Sequence, residues 1–297
     1  MKTGKVKSKL GVINISVLII LIVYCLTMIT LLFWGFISSL KTLDDFDYNP
    51  VFFPKERWAW DNYVVAFENF IVTSTNQQGE KVQTDVFGMA INSLLFAGGS
   101  ALLETFSMCV VGYMACKYTF KFSKIVYTFV VITMVIPVIG STPSMLLFLR
   151  SLKLYDTFFG VWLMKFHFLG MYFLVFYGVF KGISNEFTEA AVIDGASQLT
   201  VMFRIIFPLV IPTFTTICLI LFIGYWNDYT TALLYMPSHP TLAYGVYKKS
   251  FRDFDGVSAS TPMRITYCMM LAIPILTIFV LLRNKIMGNV TMGGVKE

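Results

Sequence analysis

The residues best suited to chemistry are ionisable side chains that lie inside or at the end of long apolar blocks: Glu104, Lys165, His167 and Asp228. Ionisable residues inside membrane-spanning helices are costly and are often functional. Glu104 is expected to line a polar pathway between helices or, equally, to make a structural hydrogen bond. Asp228 ends its apolar block, where it can be a simple boundary residue.

His167 could act as a proton relay, but no carboxylate stands three or four residues away from it. A satisfied or interfacial histidine is therefore favoured. Lys165 can extend its ammonium toward the membrane surface while its aliphatic stem stays in the apolar layer.

Catalytic and metal-binding chemistry has little support in the sequence. The chain has two histidines, and its five cysteines form no Cys-x-x-Cys pair. No metal site, disulfide framework or cofactor is predicted. The phosphate-cradling motif Gly-x-x-x-x-Gly-Lys-Ser/Thr does not occur, so no ATP site is expected on this chain.

The composition indicates a membrane protein. Of the 297 residues, 57% are hydrophobic and 13% are charged, whereas soluble domains carry about a quarter charged residues. The net charge of +6 comes from basic residues scattered between apolar blocks. They form no continuous face for nucleic acid, and loops that meet anionic lipid explain the charge better.

Six apolar blocks are each long enough to cross a bilayer, which needs about 20 residues as a helix. They predict six transmembrane helices, with residues 41–85 as a polar loop. The blocks run from Val17 to Leu40, Val86 to Cys116, Ile125 to Leu149, Thr157 to Phe180, Ile205 to Asn227 and Ile265 to Leu282.

The distribution of Lys and Arg predicts that both termini are cytoplasmic. Cytoplasmic segments carry an excess of basic residues. Residues 117–124 contain three lysines, whereas the 45 residues 41–85 contain four basic residues. The first block is also preceded by a basic N-terminal segment, and it is too long for the apolar region of a signal peptide.

The stretch between the fourth and fifth blocks predicts two short helices joined by a turn. Asn185 can cap the first helix, and Gly195 suits a left-handed position after its end. Ser197 can cap the second helix, which Pro208 is expected to end. The alanines at 190 and 191 leave little side-chain bulk, so a partner can approach the backbone. A short interfacial helix is the alternative.

This stretch resembles the EAA loop of importer-type ABC permeases. The matching residues are Glu189, Ala190, Ala191, Asp194, Gly195, Ala196, Phe203, Ile205 and Pro208. The chain departs from the family pattern at Ser184, where proline is usual, and at Thr188, where a second glutamate is common.

Further segments are similar to sugar permeases of the maltose-transport G-subunit type, so the resemblance covers nearly the whole chain. They are Phe53-Pro54, Trp60 to Tyr63, Asn92 to Leu94, Gly112-Tyr113, Ile136-Pro137, Leu152 to Thr157, Trp226 to Tyr229 and Gly293 to Lys296.

The resemblance implies an all-α membrane protein with the type I ABC importer permease fold and a cytoplasmic EAA coupling helix. It implies an N-terminal helix plus extracytoplasmic loop over residues 1–86 and a five-helix permease core over 87–285, with the coupling loop at 184–206. Residues 286–297 would form a cytoplasmic tail.

The implied function is translocation of a sugar or oligosaccharide across a bacterial cytoplasmic membrane, with ATP hydrolysis on a partner chain. The implied partners are a second permease subunit, an ATPase dimer and an extracytoplasmic sugar-binding protein. Residues 233–262 would reach into the binding protein, and residues 292–297 would reach between the ATPase subunits.

The resemblance implies that Glu189 faces a basic residue of the ATPase. It also adds candidates for the sugar pathway at the end of the fifth block, which are Trp226, Asn227, Asp228 and Tyr229. Glu104 joins these pathway candidates because of its central position in the second block. An ion-driven secondary transporter is the alternative function, although the sequence shows no repeated halves and few intramembrane carboxylates.

Overall fold

The computed structural model describes residues 12–50, 53–76, 78–118, 121–136, 140–252 and 260–290. Within these residues the chain is mostly helical. In chain order the elements are α1 (Val12–Ser39), α2 (Leu43–Tyr48), α3 (Asp61–Asn69), β1 (Val72–Thr75), β2 (Lys81–Thr84), α4 (Val86–Lys117), α5 (Lys121–Val135), α6 (Ser141–Ser151), α7 (Phe158–Lys165), α8 (Met171–Gly182), α9 (Glu186–Ile193), α10 (Gln198–Thr200), a π-helical segment (Val201–Ile206), α11 (Phe207–Trp226), α12 (Tyr229–Tyr235), α13 (Leu242–Phe251) and α14 (Thr261–Val290).

The helical membrane fold is confirmed, but two of the predicted spans are not continuous helices. Within the described residues, the helices long and apolar enough to cross a membrane cover Ile13–Ser39, Val86–Lys117, Gln198–Trp226 and Thr261–Leu281. The third predicted block contains α5 and α6, and the fourth contains α7 and α8. An apolar run predicts burial in the membrane, but it does not show where the backbone breaks.

The prediction that residues 41–85 form a loop is wrong. This region contains α2, α3 and an antiparallel hairpin in which Val72 pairs with Thr84. The Thr42 hydroxyl accepts a hydrogen bond from the amide of Asp45 at 3.2 Å and so caps α2. These short elements carry too few apolar residues to give a clear periodic pattern.

The chain is divided into two compact units. The first contains the described parts of residues 1–69 and 253–270, and the second contains those of 70–252 and 271–297. The hairpin, which the predicted division at residue 86 placed with the N-terminal region, therefore packs with the second unit.

In the first unit, the polar turn after α1 is buried. The Lys41 ammonium donates to the carbonyl of Asn49, and the Asn62 amide donates to the carbonyls of Ser39 and Lys41 at 2.8 and 2.9 Å. Burial lowers the pKa of Lys41, and the nearby Asp45 carboxylate opposes this shift. These bonds fix the direction in which the chain leaves α1.

In the second unit, α4 is the central helix and packs against α5, α7, α8, α11 and α13. Its buried side chains form an apolar core with α8 and α11. Members of this core include Met108, Tyr113, Phe173, Phe176, Val210 and Ile217.

Close helix packing occurs at Gly99 but not at the adjacent Gly98. A Cβ atom at Gly99 would lie 2.3 Å from the Trp162 indole nitrogen, whereas a Cβ at Gly98 would meet nothing within 4 Å. The Trp162 indole donates to the carbonyl of Leu95 at 3.1 Å. The two adjacent glycines therefore differ in what they contribute to the contact between α4 and α7.

We expect Gly99→Ala to destabilise the purified protein by about 1–3 kcal/mol, because the rigid Trp162 ring must move and its hydrogen bond is lost. Gly98→Ala is the matched control. It should leave stability unchanged or raise it by up to about 1 kcal/mol, because alanine favours helix. The apparent unfolding temperature in one detergent measures both variants. Equal effects of the two substitutions would contradict this account of the helix contact.

Candidate functional site

The loop between α8 and α10 is anchored to the C-terminal end of α4. The Lys117 ammonium donates to the carbonyl of Ile183 at 2.6 Å and to the side-chain oxygen of Asn185 at 2.9 Å. Asn185 occupies the N-cap position of α9 but makes no side-chain capping bond. The predicted capping bond is therefore wrong, because Lys117 engages that oxygen.

The end of α9 has the geometry that the sequence predicted. Gly195 adopts φ +79°, a left-handed conformation that glycine adopts without steric cost. The amide of Ala196 donates to the carbonyl of Ala191 at 2.9 Å, and the amide of Gly195 donates to that of Val192 at 3.0 Å. This pair of bonds is a Schellman motif, and it turns the chain sharply from α9 into α10.

The prediction that Pro208 ends the second helix of this loop is wrong. Ser197 caps α10 as expected, with the Thr200 amide donating to its hydroxyl at 3.2 Å. The helix then continues through the π-helical segment into α11, giving one helical run from Gln198 to Trp226. The wider π turn lies directly before Pro208, where an ordinary α-helix would lose a hydrogen bond and meet the proline ring.

The outward surface of α9 and the following turn lacks a covering within the described part of the chain. Ala191 is buried, whereas Glu189, Ala190 and Asp194 are exposed or partly exposed. Large apolar side chains on the same loop are also exposed: Phe187, Val192, Ile193, Leu199 and Phe203. We call this set, with Glu189 and Ala190, the α9 surface. Exposed apolar patches of this kind mark interaction sites.

A second constellation lies among α4, α7, α8, α11 and α12, and we call it the polar cluster. Its members are Glu104, Lys165, His167, Tyr225 and Asp228. The Tyr225 hydroxyl donates to the Glu104 carboxylate, and the His167 Nε2 lies 3.7 Å from the other Glu104 oxygen. The Lys165 ammonium lies 3.9 Å from an Asp228 oxygen and 4.9 Å from the centre of the Tyr225 ring.

The break between α7 and α8 places Lys165 and His167 in this cluster. Lys165 is the last residue of α7, and His167 lies in the irregular segment before Gly170, whose φ is +139°. The Ser107 hydroxyl on α4 donates to the His167 carbonyl at 2.5 Å. Irregular backbone at membrane depth needs such partners or a water-filled cavity.

Asp228 has two roles in the structure. Its carboxylate caps α12 by accepting from the Thr231 amide at 3.0 Å, which is the predicted boundary role. The same carboxylate faces Lys165 across the bundle.

The pairing of His167 with Glu104 gave no signal in the sequence, because the Glu104 carboxylate lies on a different helix rather than three or four residues away.

The three remaining pathway candidates, Trp226, Asn227 and Tyr229, lie outside the polar cluster. Trp226 is 3% exposed, and its indole donates to the carbonyl of Leu271 at 3.2 Å. Asn227 donates to the carbonyl of Ile223 in its own helix. Tyr229 is partly exposed and stacks on Tyr247 with 4.4 Å between ring centroids. Trp226 is therefore closed to a ligand in this conformation, while Tyr229 is accessible.

The segment between α12 and α13 is held rigidly by neighbouring elements. The Asp156 carboxylate accepts from the backbone amide of Ser238 at 2.9 Å and from its hydroxyl at 2.5 Å. The Asn92 amide donates to the carbonyl of Pro240 at 3.0 Å. Beside the segment, the Lys248 ammonium on α13 donates to the carbonyl of Thr73 in β1 at 2.5 Å. The segment therefore presents a fixed surface at the hairpin end of the second unit.

The donors and acceptors of the polar cluster suit hydrogen bonding to a passing ligand or between moving helices. Within the described residues, no group of three or more His, Cys, Asp or Glu side chains is arranged to hold a metal. The five cysteines are free thiols. The residues of the polar cluster therefore suit ligand binding or a rearrangement of the helices that carry them.

Comparisons with known proteins agree with the fold and the motif. The melibiose/raffinose/stachyose import permease MelC of Bacillus subtilis is 25% identical over 209 residues, which are 69% of this chain and 75% of that protein. The diacetylchitobiose uptake permease NgcG of Streptomyces coelicolor is 20% identical over 92% of this chain and 86% of its own length.

A solved bacterial ABC transporter involved in import of the acidic polysaccharide alginate has the same fold. Its matching chain superposes with a TM-score of 0.72 at 18% identity and covers 95% of this chain and 99% of its own length. The predicted type I permease fold is confirmed. The family described as binding-protein-dependent transport system inner membrane component matches residues 108–288, and this chain belongs to that family.

Proposed function

We propose that this chain is the permease subunit of an ATP-driven importer that carries a sugar or oligosaccharide across a bacterial cytoplasmic membrane. Family membership supports a binding-protein-dependent importer. Relatives named for raffinose-type sugars and for diacetylchitobiose support a carbohydrate substrate. The observation that carries the proposal is the uncovered α9 surface, which coincides with the EAA loop.

In this proposal, two ATPase subunits supply the energy, and the α9 surface docks into one of them. Glu189 faces a basic residue there, while Ala190 allows close backbone approach. The Schellman turn at Gly195 fixes α9 as a short projecting helix with its exposed surface directed outward. A second permease subunit completes the membrane channel, and both termini lie in the cytoplasm. Residues 292–297, expected to reach between the ATPase subunits, lie outside the described residues.

The helical run from Gln198 to Trp226 supports a mechanical route through the membrane. It contains 29 residues and is about 43 Å long at 1.5 Å per residue. One end adjoins the α9 surface and the other carries Tyr225 of the polar cluster. Movement of α9 when the ATPases close would therefore displace Tyr225 relative to Glu104 and shift Asp228 relative to Lys165.

On this route the polar cluster is the part of the pathway that rearranges during alternating access. The predicted pathway residues Glu104 and Asp228 belong to it, and Tyr229 and Asn227 lie beside it at the end of α11. Tyr229 offers an aromatic face against which a sugar ring can pack. The fixed segment between α12 and α13 faces the extracytoplasmic side and receives the sugar-binding protein.

An ion-driven secondary transporter is the second candidate, and one observation favours it. Glu104 and His167 are adjacent within the membrane, and carboxylate and histidine pairs form proton relays in such transporters. The two functions differ in their energy source. Transport that persists without ATP and stops when the proton gradient is collapsed would favour this candidate.

We expect the wild-type chain, extracted gently from its native membrane, to retain an ATPase subunit. Glu189→Arg should lose that subunit or lose transport-coupled ATP hydrolysis, because an unpaired or repelled charge at an interface costs about 2–5 kcal/mol. Affinity capture followed by immunodetection of the ATPase measures the first effect, and phosphate release measures the second.

Glu68→Arg is the matched control, because Glu68 is an exposed glutamate on α3 in the other unit and should behave like the wild type. If the wild type captures no ATPase, the importer proposal fails and the secondary transporter becomes the better account. If the ATPase is present and Glu189→Arg behaves like the wild type, the importer stands and the role given to Glu189 is wrong.

The contact between Lys165 and Asp228 gives a second prediction. Lys165→Met and Asp228→Asn should each lower binding-protein-stimulated ATP hydrolysis in proteoliposomes several-fold, because each leaves a charge unpaired in the membrane. Asparagine can still cap α12, so Asp228→Asn removes the charge but keeps the cap. The double variant should be less impaired than the sum of the singles, with a coupling of about 0.5–3 kcal/mol.

The exposed ion pair between Arg57 and Asp61, at 2.9 Å, provides the control. Removing either partner there should leave hydrolysis unchanged, since exposed pairs contribute at most about 1 kcal/mol. Strictly additive effects of Lys165→Met and Asp228→Asn would show that these two residues act independently.

A further inference from the structure

In the first unit, the chain folds back along the last turns of α1 after the membrane span ends. The span runs from Ile13 to Ser39. The Trp34 indole donates to the carbonyl of Pro50 at 2.9 Å, and the ring of Phe33 lies 6.0 Å from that of Phe53. The returning segment therefore lies beside residues that belong to the membrane-spanning helix.

Aromatic contacts continue along the returning segment. Phe46 packs at 6.4 Å from Trp34, Trp58 at 6.2 Å from Phe53, and Trp60 at 6.3 Å from Phe36. We call five aromatic residues of the described part of this segment the aromatic collar: Phe46, Tyr48, Phe53, Trp58 and Trp60. Phe46, Phe53 and Trp60 contact the end of α1 directly, and Trp58 packs on Phe53.

The depth of the collar follows from its contacts with α1. Phe33 and Phe36 precede the end of the span by six and three residues, which correspond to about 9 and 5 Å along the helix axis. Rings that touch them lie at the level where the hydrocarbon core gives way to the lipid headgroups. Tryptophan and tyrosine are enriched at this level, because one edge of each ring is apolar and the other is polar.

Most of the collar is uncovered within the described part of the chain. Tyr48 is 92% exposed, Trp60 58%, Phe53 55% and Trp58 46%. Helix α1 is exposed on every side from Ile13 to Trp34, rather than along one apolar stripe. A helix that is apolar all round suits lipid, so the collar continues a lipid-facing surface.

The charges near the collar argue against electrostatic attachment. Residues 41–61 contain five acidic and three basic side chains, so their net charge is −2. Attraction to anionic lipid requires basic clusters. Contact with a bilayer here must come from the aromatic rings themselves.

We propose that the aromatic collar inserts into the lipid headgroup layer around the extracytoplasmic end of α1 and fixes the depth of that helix. The partner is the bilayer surface, whatever the charge of its lipids. This role needs only that α1 crosses the membrane, so it is independent of the substrate and of the energy source.

Photocrosslinking in intact cells tests the partner with the assembled transporter in place. Trp60 or Tyr48 is replaced by the photoreactive p-benzoylphenylalanine, and adducts are identified by mass spectrometry. We expect phospholipid adducts at both positions. The matched control is the same replacement at Phe187, an exposed aromatic of the α9 surface that lies outside the membrane-spanning helices, and it should give no enrichment of lipid adducts. Adducts to another protein chain at 60 and 48 would overturn the collar proposal.

Fluorescence quenching provides a measurement that does not depend on an unnatural residue. In proteoliposomes, the difference between the wild type and Trp60→Phe isolates the emission of Trp60. We expect lipids brominated close to the headgroups to quench it more strongly than lipids brominated near the chain ends. Added salt or anionic lipid should not change the quenching. Stronger quenching by water-soluble acrylamide, or loss of the lipid effect at high salt, would overturn the proposal.

Discussion

The fold depends on one constraint, which is that backbone polar groups inside a bilayer must find partners within the protein. Several helices of this chain are interrupted, and α4 provides partners near many of the interruptions. Polar side chains along its length reach irregular backbone or helix ends on other elements: Asn92 with the Pro240 carbonyl, Ser93 with the Leu242 amide, Ser107 with the His167 carbonyl and Lys117 with the Ile183 carbonyl. Glu104 adds the contacts to Tyr225 and His167. These five side chains are stable at their positions in α4 because each of them contacts another element.

The same arrangement explains which parts of the structure were readable from sequence. Features that depend only on adjacent residues were predicted correctly. Gly195 takes the left-handed position, and Ser197 caps α10. The extent of the apolar blocks also predicted the long helices α1, α4 and α14. The role of Glu189 in coupling stays a prediction.

Features that depend on distant residues were not readable. The breaks within the third and fourth blocks, the π turn before Pro208 and the pairing of His167 with Glu104 all arise where separate helices meet. Sequence spacing carries no information on the last of these, since 63 positions separate the two residues. Trp60 is a different case. The sequence around it resembled a segment of sugar permeases, but its position beside the end of α1 is visible only in the structure.

The central position of α4 also bears on how the protein is made. Membrane proteins are inserted as they are synthesised, beginning at the N-terminus. Residues 86–117 leave the ribosome before His167, Ile183, Tyr225, Pro240 and Leu242. The irregular segment that contains His167 therefore enters a membrane in which Ser107, which bonds to the His167 carbonyl, is already present. The order of the chain alone means that this carbonyl does not remain unpaired in lipid while its partner is being made.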